Sequence, residues 1–407
     1  MTLTAPEQPY PTRADTFAAF SAHVSRGKAA MFQKYGVDVV MGERQGTSFH
    51  DAFDGRRLFN CHCNGGVYNL GHRHPAVLAA LRGALDTLDV GNHHLVSGLR
   101  ARLAERLAAT TEGRLPGVVF GVAGGEAIDL AIKVARAATR RRGVVSASGG
   151  YHGHTGLALA AGDAKYREPF LSSAAEFTQV PFNDVEALGR AVDDTTAAVL
   201  FETIPATLGM PIPEPGYLHA VGELCQARGA KLILDEVQTG LGRTGTCWAH
   251  EQDDVTPDAI VTGKGLSGGL YPIAATLLSR ELHAVFDEDP FRHISTFGGA
   301  ELGCTAALAV LDVIEAPGFL ARVAALGERF ARGLAGAPFE LRRRGMFMGL
   351  KFPFEDAGLM GAKLLIDAGI FAVWANNDTS VVQLLPPLVC TDAEADEIIG
   401  IVRRVFG

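Results

Sequence analysis

The sequence predicts an α/β fold: a mostly parallel central sheet covered by helices, with a smaller α+β C-terminal domain joined by the N-terminal segment. Three observations carry this expectation. Short apolar runs recur at 118–120, 143–147, 197–201, 231–234, 259–261 and 273–278. Helical segments fall among them, and after about residue 300 the alternation gives way to long helices and isolated strands. Strands buried on both faces read as continuous apolar runs, and strand–helix alternation builds a parallel sheet with both faces covered.

Each element has a local reason. Phe49-His-Asp51 and Arg57-Leu-Phe59 read as short antiparallel strands, so residues 1–55 are expected to pack beside the small domain. Residues 99–109 have helical periodicity. Residues 126–142 form an amphipathic helix with Ile128, Ile132 and Ala135 on one side. Its basic end, Arg140-Arg-Arg142, reads as cations stabilised by the helix macrodipole rather than as an anion site. Further helices are expected at 184–192 and 216–228. This large domain is expected to span residues 56–300. The domain 301–407 has helices at 302–314 and 319–334, strands at 349–353 and 380–385, and a closing helix at 392–405.

The chain of 407 residues is long enough for several layers of core. A net charge of −8 disfavours nucleic acid or an anionic membrane surface as partner. Residues 1–13 are Pro-rich and polar, unlike a secretory signal, and no apolar stretch reaches the roughly 20 residues that span a bilayer. The expected location is cytoplasmic. Six scattered cysteines fit reduced thiols better than a disulfide framework. Cys61-His62-Cys63 has one intervening residue, fewer than the usual two to four of a metal knuckle, and no second pair follows. No metal is expected, and this stretch reads as a half-buried strand carrying small side chains.

The chemistry concentrates around two apolar runs. Lys231-Leu-Ile-Leu ends on Asp235, and Ala259-Ile-Val-Thr-Gly leads to Lys264. Between the acid and the lysine there is room for one loop and one strand. Pyridoxal phosphate chemistry needs this pair: a lysine amine for the Schiff base and a carboxylate that keeps the pyridine nitrogen protonated. The glycine-rich turn Gly121-Val-Ala-Gly-Gly-Glu-Ala127 runs directly into a helix, where bare N–H groups bind phosphate well. Tyr151, after the next strand, can lie flat on a pyridine ring, or can be a core aromatic at a sheet edge. The neighbouring His152 and His154 carry weaker signals. Tyr68, Asn92, His93 and His94 are further candidates for the pocket.

From about Asp51 onward the chain resembles the class III aminotransferases, the ornithine and omega-amino-acid type of the aspartate-aminotransferase fold (fold type I). The resemblance runs through Asn-Leu-Gly-His-Arg-His-Pro at 69–75, residues 124–136, Tyr151-His-Gly153, residues 234–245 (with the highly specific Leu-Asp-Glu-Val-Gln-Thr-Gly-Leu-Gly-Arg-Thr-Gly), residues 262–268, Ser295–Gly299 and Pro386-Pro-Leu388. It implies that Lys264 is the Schiff-base lysine and proton shuttle, and that Asp235 pairs with the pyridinium nitrogen. It implies too that Gln238 bonds the ring hydroxyl, that Val237 packs under the ring opposite Tyr151 with His152 beside it, and that Gly124 and Gly125 serve the phosphate. Glu202 matches a structural glutamate near the cofactor. Thr296 would reach the phosphate of a neighbouring subunit, implying a homodimer or larger assembly with shared sites.

Three positions depart from the family pattern. Gly125 stands where a hydroxyl residue is common. The gating glutamate falls on Thr207, and the substrate-carboxylate arginine falls on Gln383. Losing the acid and the arginine together is physically coherent, because either one alone and buried would be costly. The expected function is a pyridoxal 5'-phosphate-dependent transaminase acting on a small-molecule amine and a carbonyl acceptor. The alternative is a one-substrate enzyme on the same scaffold: an aminomutase, epimerase, decarboxylase or eliminase.

Overall fold

The computed structural model describes residues 8–407; the first part of the Pro-rich stretch lies outside the described residues. Among the described residues there are fifteen strands. Near the N-terminus are β1 (Met41–Gln45), β2 (Ser48–Asp51) and β3 (Arg57–Asn60). The large sheet holds β4 (Gly117–Gly121), β5 (Gly143–Ala147), β6 (Phe177–Val180), β7 (Thr196–Glu202), β8 (Lys231–Asp235), β9 (Ala259–Thr262) and β10 (Ala274–Leu278). The C-terminal unit holds β11 (Glu340–Arg344), β12 (Phe347–Lys351), β13 (Ile370–Phe371), β14 (Val373–Ala375) and β15 (Asp378–Leu384).

The large sheet runs β4-β10-β9-β8-β7-β5-β6. Among the described residues its antiparallel pairings are those of β10 with β4 and β9. The strand sequences explain why both faces are covered. On β8, Ile233 enters the core under the Gly124–Thr139 helix, while Leu232 and Leu234 enter the core under the Tyr217–Arg228 helix. On β7, Ala198 and Leu200 face one way and Val199 and Phe201 the other. Each such Leu, Ile or Phe contributes about 1.5–3 kcal/mol by leaving water.

The Gly124–Thr139 helix stops earlier than its sequence pattern suggests. Arg140 caps it in a left-handed conformation, and Arg141 reaches sideways to donate to the carbonyls of Thr196 and Arg228. Arg142 pairs instead with Glu176, so of the three arginines Arg140 and Arg141 meet helix ends.

In the C-terminal unit the antiparallel sheet β11-β12-β15-β14 is covered by the Phe319–Leu334 and Asp392–Phe406 helices. Phe330, Leu326, Ile398 and Val402 meet Met348, Leu350, Val382 and Leu384 there. Strand β12 ends before Pro353, which has no N–H to give a ladder. The last helix opens with a capping box between Thr391 and Glu394. The N-terminal strands form the sheet β1-β2-β3-β13, so β13 ties the N-terminal segment to the C-terminal unit. The Glu301–Ile314 helix packs on the Pro75–Leu85 and Gly98–Ala109 helices and shares a core with Val77, Leu103 and Leu107. By these contacts it sits with the large sheet, although the change of sequence pattern groups it with the C-terminal helices.

Cys61-His62-Cys63 is not a strand. Strand β3 ends at Asn60, and Cys63 through Gly66 all take positive φ, making a left-handed turn. Both cysteines are fully buried, and all six cysteines are unpaired.

Arg243 is the most deeply buried cation, at 0% exposure. Its guanidinium donates to Asn69 Oδ1 (2.6 and 3.1 Å) and to the carbonyls of Met346 (3.1 Å) and Pro386 (2.7 Å). It thus joins the segment after the left-handed turn, the β11–β12 turn and the chain after β15.

Candidate active site

The large sheet delivers its chemistry at the carboxyl ends of β7, β8 and β9, where α/β sheets bind ligands. Asp235 is the last residue of β8 and pairs in register with Glu202, the last residue of β7. One oxygen of Asp235 accepts from the Val237 amide at 3.0 Å, and the other shares a hydrogen bond with His152 Nδ1 at 2.9 Å. Burial works against the His152 imidazolium, but the bond to Asp235 and the charges of Asp235 and Glu202 outweigh it, so its pKa is raised. His152 Nε2 is buried without a partner.

Glu202 is buried and accepts from the backbone amides of Tyr151 (3.0 Å) and Ala206 (3.3 Å). Burial lifts its carboxyl to about 7, a rise that His152 opposes and Asp235 reinforces. A carboxyl buried beside another carboxylate is driven toward its neutral form.

Lys264 begins the turn after β9 with φ of 37°, a left-handed conformation uncommon outside glycine and of a kind found at functional sites. Its Nζ donates to Gln238 Oε1 at 3.0 Å. Burial lowers the Lys264 pKa, and the charges of Asp235 and Glu202 partly offset this. The left-handed turn lies against it: a Cβ on Gly65 would meet Lys264 Nζ at 3.1 Å. His62, in the same segment, is pushed down to about 4 by burial and by the Lys264 charge.

The Gly124–Thr139 helix points its N-terminus at the same place. Ala123 is extended and makes no side-chain cap, so the first amides of a 16-residue helix have no side chain of their own to satisfy them. The approach is close. A Cβ on Gly124 would lie 3.1 Å from Val237 Cγ1, and one on Gly125 would lie 2.9 Å from Thr155 Oγ1.

One cavity of about 370 Å³ collects Gly124, Gly125, Tyr151, His152, Glu202, Asp235, Val237, Gln238 and Lys264. Ala123, His154, Thr155 and Ile204 also line it. The sequence reading named the first group and gave His154 only a weak signal. It missed Thr155, which no local pattern marks, and Gly65, where the pair Gly65-Gly66 was the available signal.

Three predicted residues stand outside this cavity. Thr296 is exposed in the segment before the Glu301–Ile314 helix. Thr207 donates to the Gly149 carbonyl at 3.2 Å, and the Asn377 amide donates to the Thr207 carbonyl at 2.8 Å. Gln383 is buried in β15, and its Oε1 accepts from Gln238 Nε2 at 3.4 Å. Among the other pocket candidates, Asn92 and His94 are exposed on a loop, where the His93 and His94 rings lie 4.0 Å apart. Tyr68 packs against His72. None of these four lines the cavity.

The donor set fits pyridoxal phosphate. A lysine and a carboxylate face one cavity, and uncapped helix amides sit at a wall where glycines leave room for an anion.

Comparison with known proteins agrees with this geometry. The class-III aminotransferase family model matches residues 32–406, and the chain belongs to that family. It is 53% identical over 392 residues to an uncharacterized aminotransferase of Archaeoglobus fulgidus, covering 95% of this chain and 92% of the relative. Among solved structures it is similar to the ornithine aminotransferase of Toxoplasma gondii, with TM-score 0.89 and 28% identity over 98% of this chain and 96% of that one. The acetylornithine aminotransferase of Elizabethkingia anophelis shares the fold, with TM-score 0.79 and 24% identity over 94% and 98% of the two chains. The chain is a class III aminotransferase. Among the described residues, no single helix is long and apolar enough to cross a membrane.

Proposed function

We propose that this aminotransferase uses pyridoxal 5'-phosphate held at Lys264, and that Asp235, His152, Gln238, Tyr151, Val237, Glu202, Gly124 and Gly125 build its site. The observation that carries the reading is the opening of Lys264, Asp235 and an uncapped helix N-terminus on one cavity. When bound, the cofactor supplies an electron sink for the substrate carbon that bears nitrogen.

The chain's own residues do the rest. Asp235, oriented by the Val237 amide and His152, presents fixed negative charge toward a protonated ring nitrogen. Lys264, its pKa lowered, is closer to a neutral amine and can both attack a carbonyl and carry a proton at Nζ. Gln238 holds that nitrogen at 3.0 Å through its amide oxygen. The first amides of the Gly124–Thr139 helix would take the phosphate.

The substrates are a small amine and a carbonyl acceptor. Gln383, tied to Gln238, offers an amide where the family pattern has a guanidinium. An amide cannot make a charge-assisted bidentate clamp on a carboxylate.

The active unit is a homodimer. Thr296 lies in a segment with exposed apolar side chains, Phe291 at 61%, Ile294 at 51% and Phe297 at 56%, and the Phe291 ring meets His94, which neighbours the exposed Leu95 and Val96. Exposed apolar surface of this kind supports an isologous interface that would carry Thr296 to the partner's site.

The test is direct. Borohydride should fix the cofactor to the peptide containing Lys264, and Lys264→Ala should abolish this. An amine added without acceptor should yield one carbonyl product per site and stop. Continued turnover of the amine alone would favour a one-substrate reaction instead.

A further inference from the structure

We propose that Thr155 is a phosphate-binding residue for the cofactor, supplying from a second segment the hydroxyl that position 125 lacks. The inference rests on the cofactor assignment above and names a residue outside it.

Two backbones meet at the wall of the cavity. Gly125 is in the first turn of the Gly124–Thr139 helix, and Gly153 lies in the loop after β5 with φ of 120°. A Cβ on Gly153 would fall 2.8 Å from Gly125 Cα and 3.3 Å from Gly125 N. The approach requires a glycine at 153, since contacts under 3 Å force atoms apart, whereas a Cβ on Gly125 would clear Gly153 Cα at 3.6 Å and crowd only Thr155. The contact brings the segment Gly153-His154-Thr155 to the mouth of the helix. Thr155 Oγ1 then stands 2.9 Å from the point where a Cβ on Gly125 would sit. A hydroxyl-bearing side chain at 125 and the present Thr155 hydroxyl would compete for the same space.

The hydroxyl is available. Thr155 precedes the Gly156–Ala161 helix but makes no capping hydrogen bond with it. Thr155 lines the cavity with Gly124 and Gly125, beside amides that no side chain caps. A neutral hydroxyl can donate to an anion without adding a charge, and the helix N-terminus supplies the favourable field.

The test is cofactor affinity, measured by titrating stripped full-length enzyme with pyridoxal phosphate and, separately, with pyridoxal. Thr155→Val removes the hydroxyl at constant volume. It should weaken pyridoxal phosphate about tenfold, the effect of one hydrogen bond to a charged group, and leave pyridoxal unchanged. Thr155→Ser, which keeps the hydroxyl, should bind like the parent.

The two positions should also show opposite signs in combination. Gly125→Ser alone should weaken phosphate binding, because its Cβ meets Thr155 Oγ1. The same change with Thr155→Ala should restore what Thr155→Ala loses. Equal weakening of both cofactor forms by Thr155→Val, or no weakening of either, would overturn the proposal. If the parent enzyme binds neither form at Lys264, the cofactor assignment fails and this inference fails with it. If Lys264 is loaded normally and only the Thr155 results are negative, the inference alone falls.

Discussion

Glu202 should make the cofactor-free protein lose stability as pH rises through the neutral range. Its carboxyl is shifted upward, from 4.5 to about 7, chiefly because the folded protein buries it. A raised acid binds more protons folded than unfolded, so the folded state is favoured below the unfolded pKa and loses that advantage as pH climbs through the folded one. One pKa unit corresponds to about 1.4 kcal/mol, so between pH 5 and pH 8 this single group should cost about 2–3 kcal/mol of stability. Glu202→Gln removes the titration and keeps the size. The amide retains one acceptor oxygen for the Tyr151 and Ala206 amides, so the variant should carry a constant penalty at acid pH. The assay is urea unfolding of both proteins at several pH values. The gap between the two curves should narrow by about 2–3 kcal/mol as pH rises from 5 to 8. Parallel curves across that range would refute the reasoning and show that Glu202 titrates near its ordinary value.

Asp235→Asn should keep its cofactor yet lose most of its rate, because an amide cannot hold the ring nitrogen protonated; near-normal kcat would assign that nitrogen another partner. Sedimentation at assay concentration should find a dimer, and Phe297→Asp should both dissociate it and weaken cofactor retention; a fully active monomer would remove Thr296 from the phosphate site. Gln383→Arg should tighten 2-oxoglutarate or pyruvate in the half-reaction by about 1.5–3 kcal/mol, read as a lower KM; no change would mean that another cation already holds the carboxylate.

The sheet was legible because its strands obey a simple rule. Ile233 and its neighbours are apolar without interruption, as a strand covered on both faces must be. Strand β6 was not legible: Phe177–Val180 is an edge strand, half-exposed, with Thr and Gln among its four residues. Asp235 and Lys264 could be read as a pair because each follows a recognisable strand, and chemistry at strand ends needs no further context. Cys61-His62-Cys63 misled because the left-handed turn begins on Cys63 and Asn64, before any glycine, and its mark, the pair Gly65-Gly66, lies just beyond the stretch read as a strand. Thr155 was invisible for a different reason. Its place beside Gly125 depends on two backbones in contact across the fold, and neither glycine announces its partner. Asn92, His93 and His94 were named by side-chain type, and type does not say where a loop places them.

The buried Arg243 bears on how this protein reaches its native state. Its acceptors lie 174, 103 and 143 residues away along the chain, so no local segment can satisfy the guanidinium. Closing such long loops is entropically slow, and a half-assembled junction leaves a desolvated cation short of acceptors. Early in folding it is therefore better solvated outside the core than in it. The junction then settles after the large and C-terminal sheets exist. Asn69, which receives two of its bonds, also donates its backbone amide to Gly66 in the left-handed turn and accepts from the Leu388 amide, so the surroundings of Lys264 and the C-terminal unit share one junction. A chain emerging slowly from the ribosome would hold Arg243 in water until Pro386 arrived.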